Sequence, residues 1–342
     1  MQRLKRSLNY LIPAGIVLAV IIVLLLIIGA DIGHVLNSFA GGLFGNRYQV
    51  GEIFVKATPL LLVGLGCAIG FNCGLVNLGA EGQLYMGAVA ATAVAVNGEG
   101  MPKLLLLLLM MLAGIVAGGL WALIPGIMKA KFGLSEVIMG LMLNYIAIHF
   151  NSLSIRTFLK DPDYPFPMSK TFSPAAQLPI FLERTRFHAG FLIALILAFI
   201  IWVFLWKSPK GFEIRACGCN PRASHCVGIN VNRNLIMASL FSGGLAGIAG
   251  FVEVAGVQHK LMDGISSNYG YLAIMVALLG KKHPFGVIIV SILLGKLEIG
   301  GLAAQRQAGI PNSITSVILG AVVVVFLLRD RIAINKQGVT NV

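Results

Sequence analysis

Charged side chains are what this 342-residue chain has least of: 11% of its residues are Asp, Glu, Lys or Arg, against 57% hydrophobic. An ordinary soluble domain carries about 25% charged and roughly 45–50% apolar residues. So few polar side chains would leave the surface of a soluble fold uncovered, and the mean hydropathy of +0.88 agrees. Acidic residues are the scarcer sign, 13 against 26 basic, for a formal charge of +13. The chain lacks any polar stretch of domain length that would gather this charge into a nucleic-acid surface, so nucleic acid is not expected as a partner. Cysteine is sparse, five in all, an odd number in apolar surroundings that does not suggest a disulfide framework. Cys217, Cys219 and Cys226, with His225 beside them, match no common zinc spacing, and no bound metal is expected. Also missing are a His-Glu-x-x-His pair, a Gly-x-Ser-x-Gly elbow and a Walker A run. No catalytic residue is therefore assigned, and the chain is not expected to be an enzyme. What remains is a multi-pass membrane protein whose basic excess gathers at the cytoplasmic ends of its spans.

A crossing helix needs about 20 mostly apolar residues. Ten stretches qualify: 10–30, 53–71, 77–96, 103–128, 135–155, 188–206, 234–257, 268–280, 284–301 and 312–328. The third and eighth are the least regular. With the N-terminus inside, 15 of the 26 basic residues fall on the cytoplasmic side, five of them between Lys207 and Arg233. Both termini are thus expected in the cytoplasm of a cell-membrane protein, and residues 1–342 read as one transmembrane domain. Two loops are long. The outer one, 156–187, holds five prolines and is expected to be irregular. The inner one, 207–233, is basic and punctuated by Gly211, Gly218, Pro221 and Gly228. Ten spans divide into two sets of five, and an odd number per set inverts the second relative to the first. The runs 74–87 and 270–280 each place a glycine-flanked apolar stretch after a polar break.

The least ordinary stretch, 71–87, sets Asn72, Asn77, Glu81 and Gln83 among glycines at the start of a span. Polar side chains at that depth either hydrogen-bond neighbouring helices, the commoner use, or face a water-filled path. Asn77, Glu81 and Gln83 are therefore candidate pathway residues with both uses open. Asn144 lies roughly 13 Å along a helix beyond Ser135 and has the same two uses. Glu136, near the membrane surface, reads as an N-terminal helix charge. Glu253 is a candidate for the outer mouth. Gly66, Gly70 and Gly74, and again Gly243 and Gly247, recur at four-residue spacing, which lets helices approach closely.

The run 74–83, GLVNLGAEGQ, resembles the signature of ABC-importer permeases of the branched-chain amino acid and simple sugar class, nucleoside subfamily. The runs 125–137 with 142–145, 211–223, 228–231, 242–250, and 277–280 with 284–286 fit the same subfamily in the same order, so the resemblance covers about residues 50–328. It implies an importer with two permeases, a heterodimer or a homodimer, set in membrane lipid. The other parts would be cytoplasmic ATPases, which carry the ATP and Mg, and an extracytoplasmic binding protein or lipoprotein; this chain would hold no cofactor. Glu213, Arg215, Asn220, Pro221, Arg222, Ala223 and Gly228 would then belong to the loop that couples to the ATPase. The departure is at Ser224, His225 and Cys226, where more alanine and aromatic character is expected. The same machine carrying ribose-like sugars or a flavin-type vitamin is the near alternative. An ion-coupled secondary transporter using Glu81 or Glu136 is the alternative from another class, and it would have no use for an ATPase-docking loop.

Overall fold

The computed structural model describes residues 31–309, Glu183 excepted, with isolated positions 15, 317 and 320. The expected spans 10–30 and 312–328 lie outside the described residues. Those described are helical without strands. In chain order the helices are α1 (Ile32–Phe44), α2 (Arg47–Asn72), α3 (Ala80–Asn97), α4 (Lys103–Phe132), α5 (Glu136–Ser154) and α6 (Gly190–Lys207). They continue as α7 (Pro209–Cys219), α8 (Pro221–Cys226), α9 (Val231–Glu253), α10 (Tyr269–Leu279) and α11 (Pro284–Ala308). A π-turn at Val254–Gln258 prolongs α9.

Six of these are long and apolar enough to cross a membrane: α2, α4, α5, α6, α9 with its π-turn, and α11. Two expected spans come out differently. α3 forms, but its polar opening with Glu81 and Gln83 keeps it out of that set. α10 has 11 residues, about 16 Å of helix, half the thickness of the hydrocarbon core. Its N-terminal side is a run of turns, and Gly280 closes the other end. Helix α1 had no counterpart among the expected spans. Asp31 caps it, accepting from the Gly33 and His34 amides at 2.9 and 3.3 Å.

The described chain forms two compact parts, with the division falling inside α2 and α11. In the smaller part, Gly42 of α1 faces Gly300 and Ala303 of α11, and Gly300 lies under the Phe39 ring. In the larger part, 54–292, α2 and α9 are buried around most of their circumference, as helices without a polar face should be. In α9 every residue from Ser242 to Glu253 is buried. The small residues there allow it: an added Cβ on Gly243 would meet Gly118 and Ala122 of α4, and one on Gly247 would meet Gly114 and Gly118. Gly66 sets α2 against the Ser242 carbonyl in the same way. Gly70 lies instead against Leu75 of its own chain, and Gly74 occupies a turn.

The segment 156–187 is irregular but held in place. Its Ser169, Phe172 and Leu178 amides donate to the Leu261, His259 and Ala255 carbonyls at 2.9, 2.8 and 2.9 Å. Arg156 pairs with Asp263 at 2.8 Å. The segment thus lies along residues 255–263, beyond the end of α9.

Candidate functional site

The site grows from the way α2 ends. Gly74 has φ +80°, the left-handed conformation that suits a glycine just beyond the capping residue of a helix, here Cys73. The Leu75 amide returns to the Gly70 carbonyl at 2.9 Å and the Gly74 amide to Phe71 at 3.3 Å, closing the last turn as a Schellman motif. The chain then crosses to α3 through residues 75–79, and each turn of that crossing is held by a side chain from elsewhere. Lys129, in the last turn of α4, donates to the Gly74 carbonyl at 3.0 Å and pairs with Glu136 of α5. Glu136 also accepts from the Val76 amide at 3.1 Å. Asn144, fully buried on α5, accepts from the Gly82 amide at 2.8 Å and donates to the Leu78 carbonyl at 2.9 Å and the Tyr271 hydroxyl at 3.1 Å. Asn77 and Gln83 clasp through their amides at 2.7 and 3.0 Å, and Asn77 reaches Ser242 of α9 at 2.8 Å.

Glu81 closes the arrangement. It occupies the first turn of α3, and its carboxylate accepts from the Gly270 amide, in the first turn of α10, at 2.7 Å. Ser266 also hydrogen-bonds to it. The two helices therefore meet N-terminus to N-terminus across one buried carboxylate. Helix N-termini carry partial positive charge and unpaired amides, so an acidic side chain there is in a favourable place. No side chain fits at Gly270, where a Cβ would strike the Glu81 backbone and carboxylate.

On the side where α2 ends, Gly218 of α7 lies against the Asn72 carbonyl and the Gly74 amide, with no room for a Cβ. Asn72 donates to the Lys282 carbonyl at 2.9 Å. α7 and α8 are joined by Asn220, whose carboxamide oxygen accepts from the Arg222 and Ala223 amides at 3.1 Å each, with Pro221 in the first turn of α8. Arg222, Ala223, Val227 and Gly228 are exposed, whereas Ser224 turns inward and bonds the Asn220 carbonyl at 3.0 Å. Arg215 lies over the Trp206 ring at 5.4 Å. Glu213 bonds Lys210 at 2.9 Å and Asn234 of α9 at 3.1 Å, and these partners hold its carboxyl below the usual range. Cys217 is buried, and Cys219 and Cys226 are exposed. Among the described residues, no group of three or more His, Cys, Asp or Glu is placed to hold a metal.

Of the residues singled out from sequence, Asn77, Glu81, Gln83 and Asn144 come together at this junction. Glu253 does not: it is buried at the far end of α9, within 3.5 Å of Gln258. Lys129, Ser242, Gly270 and Tyr271 complete the junction. Ser242 and Gly270 stand out in sequence only as the starts of glycine runs, and none of the four is legible as a site residue because each lies far in sequence from the atom it touches. Gly114 and Gly118 carried a legible signal, the same four-residue spacing as Gly243 and Gly247.

The fold and junction define a multi-pass helical membrane protein in which two helices, α3 and α10, meet end to end. Residues 49–327 match the family described as the permease component of branched-chain amino acid transport systems, and the chain belongs to that family. Among its relatives is the guanosine ABC transporter permease protein NupP of Bacillus subtilis, 37% identical over 331 residues, 95% of this chain and 94% of that one. A glucose ABC transporter permease protein of Haloferax volcanii is 33% identical over 314 residues, 86% of this chain and 81% of that one. The nucleoside ABC transporter permease protein NupB of Lactococcus lactis is 32% identical over 288 residues, 82% and 79% of the two chains. No solved structure matches the chain. The protein is thus a multi-pass permease component in the cell membrane, one part of a transport system with other subunits.

Proposed function

We propose that this chain is the membrane permease of an ATP-driven importer of nucleosides, forming half of the translocation path. The observation that carries the reading is 37% identity, over almost the whole of both chains, to a permease named for guanosine; the relative named for nucleosides supports it. In this reading ATP and Mg act on a separate cytoplasmic ATPase, a second permease completes the path, and an extracytoplasmic binding protein selects the cargo. Residues 1–342 act as one transmembrane domain of ten spans in two inverted sets of five, with both termini in the cytoplasm. Two pairings support the inverted arrangement. The second and seventh spans, α2 and α9, are the buried pair, and the third and eighth, α3 and α10, are the glycine-interrupted ones that meet at Glu81. Glycine-interrupted apolar segments at matching places in two halves are a mark of inverted-repeat transporters.

Coupling follows from contact. α7 and α8 offer the ATPase an exposed surface that includes Arg222, Ala223 and Gly228. A displacement of α7 passes to α2 and the 72–79 crossing because Gly218 and Asn72 touch through their backbones. From there the Lys129–Glu136 pair carries it to α4 and α5. Asn77, Gln83 and Asn144 act as positioning residues that hold the first turn of α3, and Glu81 ties that turn to α10. ATP and cargo shift the balance between outward- and inward-open states only by binding them differently. The segment 156–187 faces the binding protein.

A sugar cargo is the second reading, favoured by the relative named for glucose. Cells expressing the whole transporter, given radiolabelled guanosine, uridine and glucose in turn, separate the two. Uptake of guanosine and uridine, blocked by excess unlabelled nucleoside, is expected. Uptake of glucose that excess nucleoside leaves unchanged would overturn the nucleoside reading.

A further inference from the structure

Helix α5 exposes a face unlike those of its neighbours. Ile138, Met142, Tyr145 and His149 recur at spacings of four and three and are all exposed, with Ile146 and Leu153 exposed beside them. Tyr145 is 61% exposed and stands nine residues from either end of α5, about 13 Å along the axis from each. Among the described residues neither Tyr145 nor His149 has a hydrogen-bond partner. The exposed face of α4 is aliphatic over the same depth, with Leu108, Leu112, Val116 and Leu120. That of α6 is aliphatic and phenylalanine. Those two faces suit lipid. A phenol at the middle of a span does not, because a polar side chain there faces water or protein; His149 lies one turn further along the same face, five residues from the end of α5.

The opposite face of α5 is already committed. Asn144 is spent on Gly82, Leu78 and Tyr271, and Asn151 donates to the Met262 carbonyl at 3.2 Å. These bonds fix the rotation of α5, so its outward face is set by the same junction that joins α3 to α10. The residue beside Tyr145 is thus anchored to that junction, while Tyr145 itself points away from it.

We propose that Met142, Tyr145 and His149 line the water-filled path and contact the solute, Tyr145 stacking on a flat heteroaromatic ring and His149 hydrogen-bonding to ring or sugar polar atoms. The inference rests on the nucleoside reading for its ligand and on the geometry alone for its path. An exposed tyrosine gives a rigid stacking surface that every nucleobase can use, and the thioether of Met142 adapts to rings of different size. A phenol and an imidazole one turn apart fit a solute with one flat face and several hydroxyls better than they fit an acyl chain.

The test uses the assembled transporter with Cys219→Ser and Cys226→Ser, in right-side-out and inside-out vesicles with and without ATP. Single substitutions Tyr145→Cys, His149→Cys and Leu112→Cys are exposed to a membrane-impermeant methanethiosulfonate reagent. Reaction at 145 and 149 is expected to be roughly tenfold faster than at 112, since the reactive thiolate forms only where water reaches. Equal, slow rates at all three positions in every condition would overturn the path. Added guanosine should slow the reaction at 145. Protection by glucose but not guanosine would leave the path standing and remove the nucleoside reading. Tyr145→Leu should remove guanosine's protection of a cysteine at 149 and lower the maximal rate of guanosine uptake about tenfold, the half-saturating concentration staying with the binding protein, whereas Tyr145→Phe keeps the ring and both properties. Wild-type uptake kinetics in Tyr145→Leu would overturn the stacking contact.

Discussion

At the scale of single residues, His188 shows what burial does to a titratable group. It lies two residues before α6, 1% exposed, where its Nδ1 accepts from the Gly190 amide at 3.1 Å. Gly190 and Gly256 leave the space for its ring, since a Cβ on either would press against the imidazole. Burial, with His259 and Arg186 nearby, lowers its pKa to about 4, so the folded protein keeps it neutral at pH 7. An unfolded chain protonates histidine near ~6.5. Between those values the unfolded state binds more protons, so stability is full above the upper one and falls as pH drops toward the lower. The loss is about 3 kcal/mol across the window. Thermal unfolding in detergent between pH 7.5 and 4 should show it, and His188→Phe should flatten that part of the profile. An unchanged profile would mean that the ring is not held neutral.

At the scale of elements, the run 242–250 makes α9 a central helix because its glycines differ in what they face. Gly243 and Gly247 lie on the backbone of α4, while Gly244 has its nearest neighbour at an ordinary 3.4 Å. Gly243→Ala and Gly247→Ala should each cost about 1–3 kcal/mol through overpacking, read as a lower midpoint of thermal unfolding or loss of monodisperse protein. Gly244→Ala should be nearly silent, with a helix-propensity gain of up to about 1 kcal/mol. Similar losses for all three would show that spacing alone, rather than backbone contact, governs the run. The four-residue spacing of this run was legible in sequence, and so was that of Gly114 and Gly118. That these two pairs face each other was not legible, because spacing says which residues share a face and nothing about what that face meets.

At the scale of the whole molecule, coupling requires an outward surface that touches the membrane part through few, rigid contacts. α8 offers Arg222 to the outside, whereas Arg215 lies on Trp206. Arg222→Glu should therefore reduce copurification of the ATPase and uptake together, several-fold, while the permease remains folded. Arg215→Glu acts through the loss of a cation–ring contact, worth about 0.5–2 kcal/mol, and should lower the permease's own thermal stability. Unchanged ATPase recovery with Arg222→Glu would place the docking surface elsewhere. The basic character of 207–233 was plain from sequence; which of its arginines faces outward depends on where α7 and α8 pack.

Composition alone determined that this is a multi-pass membrane protein, because a chain with so few charges has no way to cover a soluble surface. Sequence also located the long apolar helices and the unusual 71–87 stretch, since both properties are local and survive without knowledge of the fold. Tertiary structure decided what the buried polar groups do. Glu81 finds Gly270, Asn144 finds Gly82 and Tyr271, and Lys129 finds Gly74, each across a gap in sequence that no period or spacing encodes. It also decided that the eighth apolar stretch is a short helix meeting α3 head to head. Hydropathy records how well a segment tolerates lipid, whereas the end of a helix is set by where its backbone amides find partners.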